Sequence, residues 1–371
     1  MSPHQLLFLA SSFVAATLAS LSCTGGEEAQ PGSMAQRVHD QAIVVDAHAH
    51  PRPGNPDSLN LGEQAGTYEL DFLTMGEGGL DAVFFSAPIL GGRTGGPTGP
   101  DRLMEDLESI VEEVRRHGDL AEVALSSGDI RRSHFLGKRA VLLAIEAADP
   151  FEGDVDVLEG YFDAGVRMVT LPPEVLLGSE AGHVDSLSRP LSTLGLGVVH
   201  QMNRLGMVID ISHLYDRQQM DVIRASVQPV VASHSCARAL NDIPRELPDS
   251  VIRALSEKGG VVGVTFYPGH ISSDFESRTV TVEDLVDHID HIVRVAGVNH
   301  VGFGSDFLGS DVHTVGLESA AGLPNLTTAL LERGYSPGDI EKILGGNLLR
   351  VLEGVEEGRG TAPDQTSLPE S

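Results

Sequence analysis

Residues 206–245 read GMVIDISHLYDRQQMDVIRASVQPVVASHSCARALNDIPR, and two apolar runs within them, Met207–Ile211 and Pro229–Ala232, each lead into Ser-His. The two histidines, His213 and His234, stand 21 residues apart with a helix-length segment between them. That spacing is one βα unit, and in a barrel of parallel strands it brings both imidazoles to the same C-terminal mouth. Outward from this stretch, short apolar runs alternate with amphipathic segments from Ala42 onward, the pattern of a parallel sheet with crossover helices. Eight runs qualify as strands: Ile43–Ala47, Leu80–Ser86, Ala140–Ile145, Arg167–Leu171, Met207–Ile211, Val230–Ser233, Gly260–Phe266 and His300–Gly304. Eight parallel strands close an α/β barrel, so the expected fold is a single-domain (β/α)8, TIM-like barrel.

Helix signals fit that order. Asp101 to His117 puts Leu103, Leu107, Ile110 and Val114 on one face and ends in Arg115-Arg116-His117-Gly118. Thr281 opens a capping pattern with Asp284 three residues on, and Ser336-Pro337 starts the last helix, expected to run to about Val355. Long loops are expected at Gly91–Pro100 and Leu176–Arg189, both at the C-terminal face.

With 371 residues and 41% apolar content the chain can bury one large core. Its 53 acidic against 25 basic residues give a net charge of −28, which argues against nucleic acid or anionic lipid as a partner. The apolar run Leu6–Leu21 is short and rich in Ala and Ser, and it ends at Ser20-Leu21-Ser22-Cys23. Residues 1–22 are therefore expected to be an export signal, with Cys23 a lipid-attachment site and 23–40 a flexible tether. The barrel is then expected over 41–356, with a disordered tail at 357–371, in an exported protein that is either held in a bacterial cell envelope, touching the membrane only through its lipid, or periplasmic or secreted. Once the signal is removed and Cys23 is lipidated, Cys236 has no partner for an intramolecular disulfide.

The chemistry lies where polar residues end the strands. The first run ends Asp46-Ala47-His48-Ala49-His50, and alternation along an extended chain puts His48 and His50 on one side. The third ends at Glu146, the fifth at His213, the sixth at His234 and the eighth at Asp306. Any one of these has an ordinary structural explanation, but six such groups at the ends of apolar strands would be costly to bury without partners. A shared metal site accounts for all of them. Imidazole with carboxylate suits Zn2+ best, with Mn2+, Fe2+ or Co2+ as substitutes, and four histidines with one bridging carboxylate suffice for two divalent ions. Such a pair activates a bridging hydroxide against a carbonyl, with Asp306 as general acid–base. Ser212, Ser233 and Ser235 lack a GxSxG elbow and read as hydrogen-bonding residues.

The segments Asn203–His213, Ser233-His234-Ser235 through Asn241-Asp242-Ile243-Pro244-Arg245, Gly304-Ser305-Asp306-Phe307 and Ile343-Leu344-Gly345-Gly346-Asn347 resemble membrane dipeptidase, the renal dipeptidase type of the amidohydrolase superfamily. The resemblance covers most of Ala42–Val355 and is weak between Ala49 and Ala140. It implies a two-zinc barrel that hydrolyses dipeptides, commonly as a homodimer. It further implies His48, His50, Glu146, His213 and His234 as metal ligands, with Glu146 bridging, Asp306 as the catalytic aspartate, and Arg245 gripping the substrate carboxylate. Two departures stand out. His50 occupies a position where the family usually has Asp, and Thr170-Leu171-Pro172-Pro173 replaces Thr-Leu-Thr-His, so that a substrate-contacting histidine is missing at Pro173. His183, in the loop beyond, is the candidate replacement. The alternatives are an amidohydrolase acting on another carboxylate-bearing amide, such as an N-acyl amino acid, and a non-catalytic cell-envelope binding protein.

Overall fold

The computed structural model describes residues 32–51, 53–55, 58–62, 69–88, 99–147, 149–173, 190–308 and 312–360. Eight parallel strands follow one another around a barrel: β1 Val45–Ala49, β2 Ala82–Ala87, β3 Arg139–Glu146, β4 Val166–Thr170, β5 Val208–Asp210, β6 Val230–Ala232, β7 Val261–Val264 and β8 Val301–Phe303. Each pairs with the next in sequence, and β8 returns to β1 through a parallel bridge between Phe307 and Ala49. All eight expected strands are present, with ends shifted by at most two residues.

Period-two alternation divides the strand side chains into two cores. Val45, Ala47, Ala82, Phe84, Leu142, Ala144, Met168, Val208, Val231 and Val261 fill the barrel interior. Phe85, Val141, Leu143, Val169, Ile209, Val262 and Val264 face the surrounding helices. Phe84 and Phe85, adjacent in sequence, are both fully buried on opposite faces, each contributing about 1.5–3 kcal/mol of apolar transfer. Leu348, Leu349, Val351, Leu352 and Val355 of the helix Asn347–Glu357 join the interior cluster and stop the end of the barrel where the strands begin. The other mouth stays open for the strand-end residues.

Several elements differ from expectation for physical reasons. The last helix is interrupted: Pro337–Glu341 and Asn347–Glu357 flank an irregular turn at Lys342–Gly346, because Gly345 presses onto β1. A Cβ there would lie 2.1 Å from the Ile43 carbonyl oxygen. The stretch expected to be tether is helical from Met34 to Gln41, capped by Ser33 and held by buried Val38 and His39. A short strand, Ala121–Val123, and a helix, Ser127–Phe135, precede β3 in the stretch where the sequence signal was weakest. The Thr281 cap forms as expected, Thr281 N donating to Asp284 Oδ2 at 2.9 Å. Residues 1–31, which include the export signal and Cys23, lie outside the described residues, as do His183 and 361–371.

Candidate metal centre

The strand ends bring five of the expected residues into one cluster around a carboxylate. Glu146, at the end of β3, reaches both ways: Oε2 lies 2.7 Å from His48 Nε2 and 3.2 Å from His50 Nε2, while Oε1 lies 2.6 Å from His213 Nε2 and 3.9 Å from His234 Nε2. The histidines pair accordingly, His48 with His50 at 3.3 Å and His213 with His234 at 3.0 Å between Nε2 atoms. The β1 alternation thus does what the sequence implied. Asp306 joins from the β8 side, its Oδ1 3.6 Å from His50 Nε2. Its backbone is left-handed, φ 59°, a conformation that few residues other than Gly, Asn and Asp tolerate, and its N–H donates to the His48 carbonyl at 2.9 Å.

Donor chemistry and spacing fit a divalent metal. Two imidazole nitrogens bound to one zinc at about 2.0–2.1 Å with a tetrahedral angle lie roughly 3.3 Å apart. The observed pairs, at 3.3 and 3.0 Å, match this. Buried His50 Nδ1 and Glu146 Oε2 have no aligned hydrogen bond among the described residues, although Oε2 is in close contact with two imidazoles. Lone pairs converging on common points are what a cation requires.

Electrostatics agree. Burial raises the pKa of Glu146, but the facing imidazoles overcome it and hold the carboxyl well below the usual carboxylate range. Burial lowers His48, but the Glu146 charge outweighs it and raises the imidazole to about 9. His234 is driven well below its ordinary value by burial and by the neighbouring His48 charge. The cluster thus favours positive charge at His48 and disfavours it at His234. His213 is 40% exposed, which leaves the cluster open to the cavity on that side.

Two buried acids that were not singled out from sequence orient the cluster. Asp210, on β5, accepts from Ser212 N, Ser212 Oγ and Ser233 N at Oδ1, and from Thr170 Oγ1 and Ser233 Oγ at Oδ2, over 2.6–3.0 Å. Ser233 Oγ in turn lies 2.8 Å from His234 Nδ1. Asp46, on β1, accepts from His48 N, Ser305 N and Ser305 Oγ, and burial pushes its carboxyl up to about 6. The signal was legible: an acid inside an apolar run, two residues before His48 and three before His213. Ser212, Ser233 and Ser235 are hydrogen-bonding residues, as expected.

Beside the cluster lies a cavity of about 620 Å³, lined by Glu146, His213, Tyr215, Pro172, Pro173 and Arg245 among others. Arg245 reaches it on a loop after β6, its Nη1 donating to Ser235 Oγ at 3.0 Å and Nη2 to the His234 carbonyl at 3.1 Å. Close packing of strands supports the floor of the site: a Cβ on Gly304 would lie 1.9 Å from the Ser233 carbonyl oxygen.

Comparison with known proteins places this geometry. The family model for membrane dipeptidase (peptidase family M19) matches residues 33–366. Dipeptidase tcpJ of Claviceps purpurea (strain 20.1) is 34% identical over 255 residues, covering 68% of this chain. The matched part spans about 60% of that relative's length. The probable dipeptidase PvdM from Pseudomonas aeruginosa superposes with a TM-score of 0.77 at 25% identity, over 87% of this chain and 98% of that one. A metallopeptidase of family M19 described as dipeptidase AC superposes with a TM-score of 0.72 at 26% identity, over 85% of this chain and 98% of that one.

Proposed function

The chain belongs to the membrane dipeptidase family, peptidase family M19, and from that premise we propose that it is a metal-dependent dipeptidase whose centre lies at the C-terminal mouth of the barrel. The observation that carries the proposal is Glu146, one oxygen facing each histidine pair, in the same cavity as Arg245. His48 and His50 would hold one divalent ion, His213 and His234 a second, and Glu146 would bridge them, with Zn2+ favoured by the donor set. When bound, such ions supply Lewis acidity at a peptide carbonyl and make water nucleophilic at neutral pH.

The protein's own groups do the rest. Arg245 has no carboxylate partner among the described residues, and its fork, aimed by Ser235 and the His234 carbonyl, binds the substrate's C-terminal carboxylate. Asp306, anchored through its backbone to β1, takes a proton from the attacking water and returns it to the leaving nitrogen. Asp210 and Asp46 hold the ligand-bearing loops in place. His50, in place of the family's usual Asp, makes the first ion's site less negative, and its buried Nδ1 finds no acceptor among the described residues.

The test is hydrolysis of L,L- and L,D-dipeptides by metal-loaded protein, with His213→Ala and Arg245→Ala as controls. Turnover that both variants abolish is the expected result, and no turnover under any metal loading would overturn the proposal. Residues 1–22 as an export signal and lipidation at Cys23 are proposed from the Leu6–Cys23 pattern, as is a cell-envelope location. Metabolic lipid labelling of the wild type and of Cys23→Ser checks this. A homodimer is proposed from the family resemblance, and sedimentation measures it.

A further inference from the structure

Among the described residues, five polar side chains line the cavity beside the cluster: Glu146, Thr170, His213, Tyr215 and Arg245. Three are committed to the metal centre. Glu146 and His213 face each other at 2.6 Å, and the Thr170 hydroxyl donates to Asp210 Oδ2 at 2.6 Å. Arg245 spends two of its five N–H donors on Ser235 Oγ and the His234 carbonyl, which orients the fork and leaves the others for the cavity. Tyr215, the residue before the helix Asp216–Ala225, donates its backbone N–H to Gln218 Oε1 at 3.0 Å, and its side chain lines the cavity.

The two remaining donors, Tyr215 and Arg245, come from different loops, yet one guanidinium holds their backbones to a single rim. Arg238 Nη1 and Nη2 donate to the Asp216 carboxylate at 2.7 and 2.6 Å. Its Nη2 also donates to the Pro244 carbonyl at 3.0 Å, and its Nε to the Glu246 carbonyl at 2.8 Å. Arg238 therefore ties the residue after Tyr215 to the residues on both sides of Arg245. Much of the remaining wall is apolar, with Pro172, Pro173, Leu214 and Ile243 among its residues. In such surroundings a hydrogen bond to an anion is stronger than in water.

Resting on the dipeptidase proposal above, we infer that Tyr215 is a second substrate-contacting residue: its hydroxyl donates to the same C-terminal carboxylate that Arg245 binds, and Arg238 is the positioning residue that keeps the pair together. A carboxylate has about four acceptor positions on two oxygens, so it accommodates a guanidinium fork and a phenol together. The clamp selects a dipeptide with a free C-terminal carboxylate against the corresponding amide, while the proline wall beside it favours an apolar side chain.

The experiment removes one oxygen. Wild-type, Tyr215→Phe and Arg238→Met proteins, metal-loaded and full length, are titrated calorimetrically with a phosphinate dipeptide mimic and with its C-terminal amide, alongside dipeptide kinetics, metal content and thermal melting. Tyr215→Phe is expected to weaken binding of the free-carboxylate mimic roughly ten- to hundredfold, to leave the amide's affinity unchanged, and to raise KM with little change in kcat. Arg238→Met is expected to reduce the same carboxylate-over-amide preference. Equal weakening of both ligands, or no weakening, overturns the clamp. If the wild type hydrolyses dipeptides and Tyr215→Phe binds the mimic as tightly, the clamp alone falls. If the wild type binds the mimic without hydrolysing any dipeptide, the dipeptidase proposal falls and the carboxylate-over-amide ratio decides the clamp. If the wild type binds neither ligand and hydrolyses nothing, both fall.

Discussion

Asp210→Asn is expected to weaken metal binding by reversing the direction of one hydrogen-bond relay. Two of the three donors at Asp210 Oδ1 are backbone N–H groups, Ser212 N and Ser233 N, which cannot turn around. An asparagine must therefore keep its oxygen there and place its NH2 at the Oδ2 position, against the Ser233 and Thr170 hydroxyls. In the wild type Ser233 Oγ donates to Asp210 Oδ2 at 2.6 Å and so accepts from His234 Nδ1–H at 2.8 Å, which leaves the Nε2 lone pair facing the cluster. In the variant Ser233 accepts from the asparagine and donates to Nδ1, so the proton moves to Nε2, the atom 3.0 Å from His213 Nε2. Nε2 must then lose that proton before it can ligate. Partners that set a ligand's tautomer are typically worth 10–100-fold in affinity, or about 1.4–2.8 kcal/mol. Replacing charge-assisted hydrogen bonds by neutral ones at this fully buried position costs about a further 1–3 kcal/mol of folding stability. Chelator-competition titration gives the affinity, with urea unfolding of the metal-free proteins measured alongside. Ser233→Ala, which removes the relay without enforcing the wrong tautomer, should lose less affinity. An Asp210→Asn protein that binds metal as tightly as the wild type would refute the reasoning.

Three other outcomes follow from the same geometry. Glu146→Gln puts an amide where both histidine pairs need a shared anion, and the loss should be about 3–5 kcal/mol of ion binding, with dipeptide turnover falling in step; retained metal stoichiometry in elemental analysis would contradict it. Since Glu146 raises His48 to about 9, ion binding below that pH must expel a proton, so apparent affinity should climb about tenfold per pH unit and level off near 9. Affinity that does not change with pH would contradict that. His288 is buried, accepts from Ala237 N at Nδ1 and donates to the Ile271 carbonyl from Nε2, and burial lowers its pKa. A lowered imidazole stabilises the fold above its unfolded value of about 6.5 and loses that contribution as pH falls towards its folded value, at up to about 1.4 kcal/mol per unit. Unfolding free energies of the wild type and His288→Gln should therefore converge as pH drops below 6.5, and a constant gap would show that His288 is not held neutral.

The strand register and the cluster of strand-end side chains were legible from sequence because both follow from local periodicity. A run such as Met207-Val208-Ile209-Asp210-Ile211, short and rich in β-branched residues, reads as a buried strand, and a parallel barrel sends every strand end to one mouth. The chemistry of His48, His50, Glu146, His213, His234 and Asp306 is thus visible one strand at a time. The break in the last helix was not read, although Gly345-Gly346 weakens the helix there, because the obstacle that makes Gly345 necessary, the Ile43 carbonyl, is met only in three dimensions.

What the linear order determined, then, is which side chains stand at the open end of the barrel, because side-chain direction alternates with a fixed period along each strand. What only the tertiary structure decided is how they divide the work. Glu146 serves both histidine pairs because β3 lies between the first two strands and the later ones around the barrel. Asp210 reaches Ser233 and Thr170, and Arg238 joins the Tyr215 and Arg245 loops, through contacts 22–40 residues apart or across neighbouring loops. Those distances depend on strand stagger and loop packing, which no local pattern encodes.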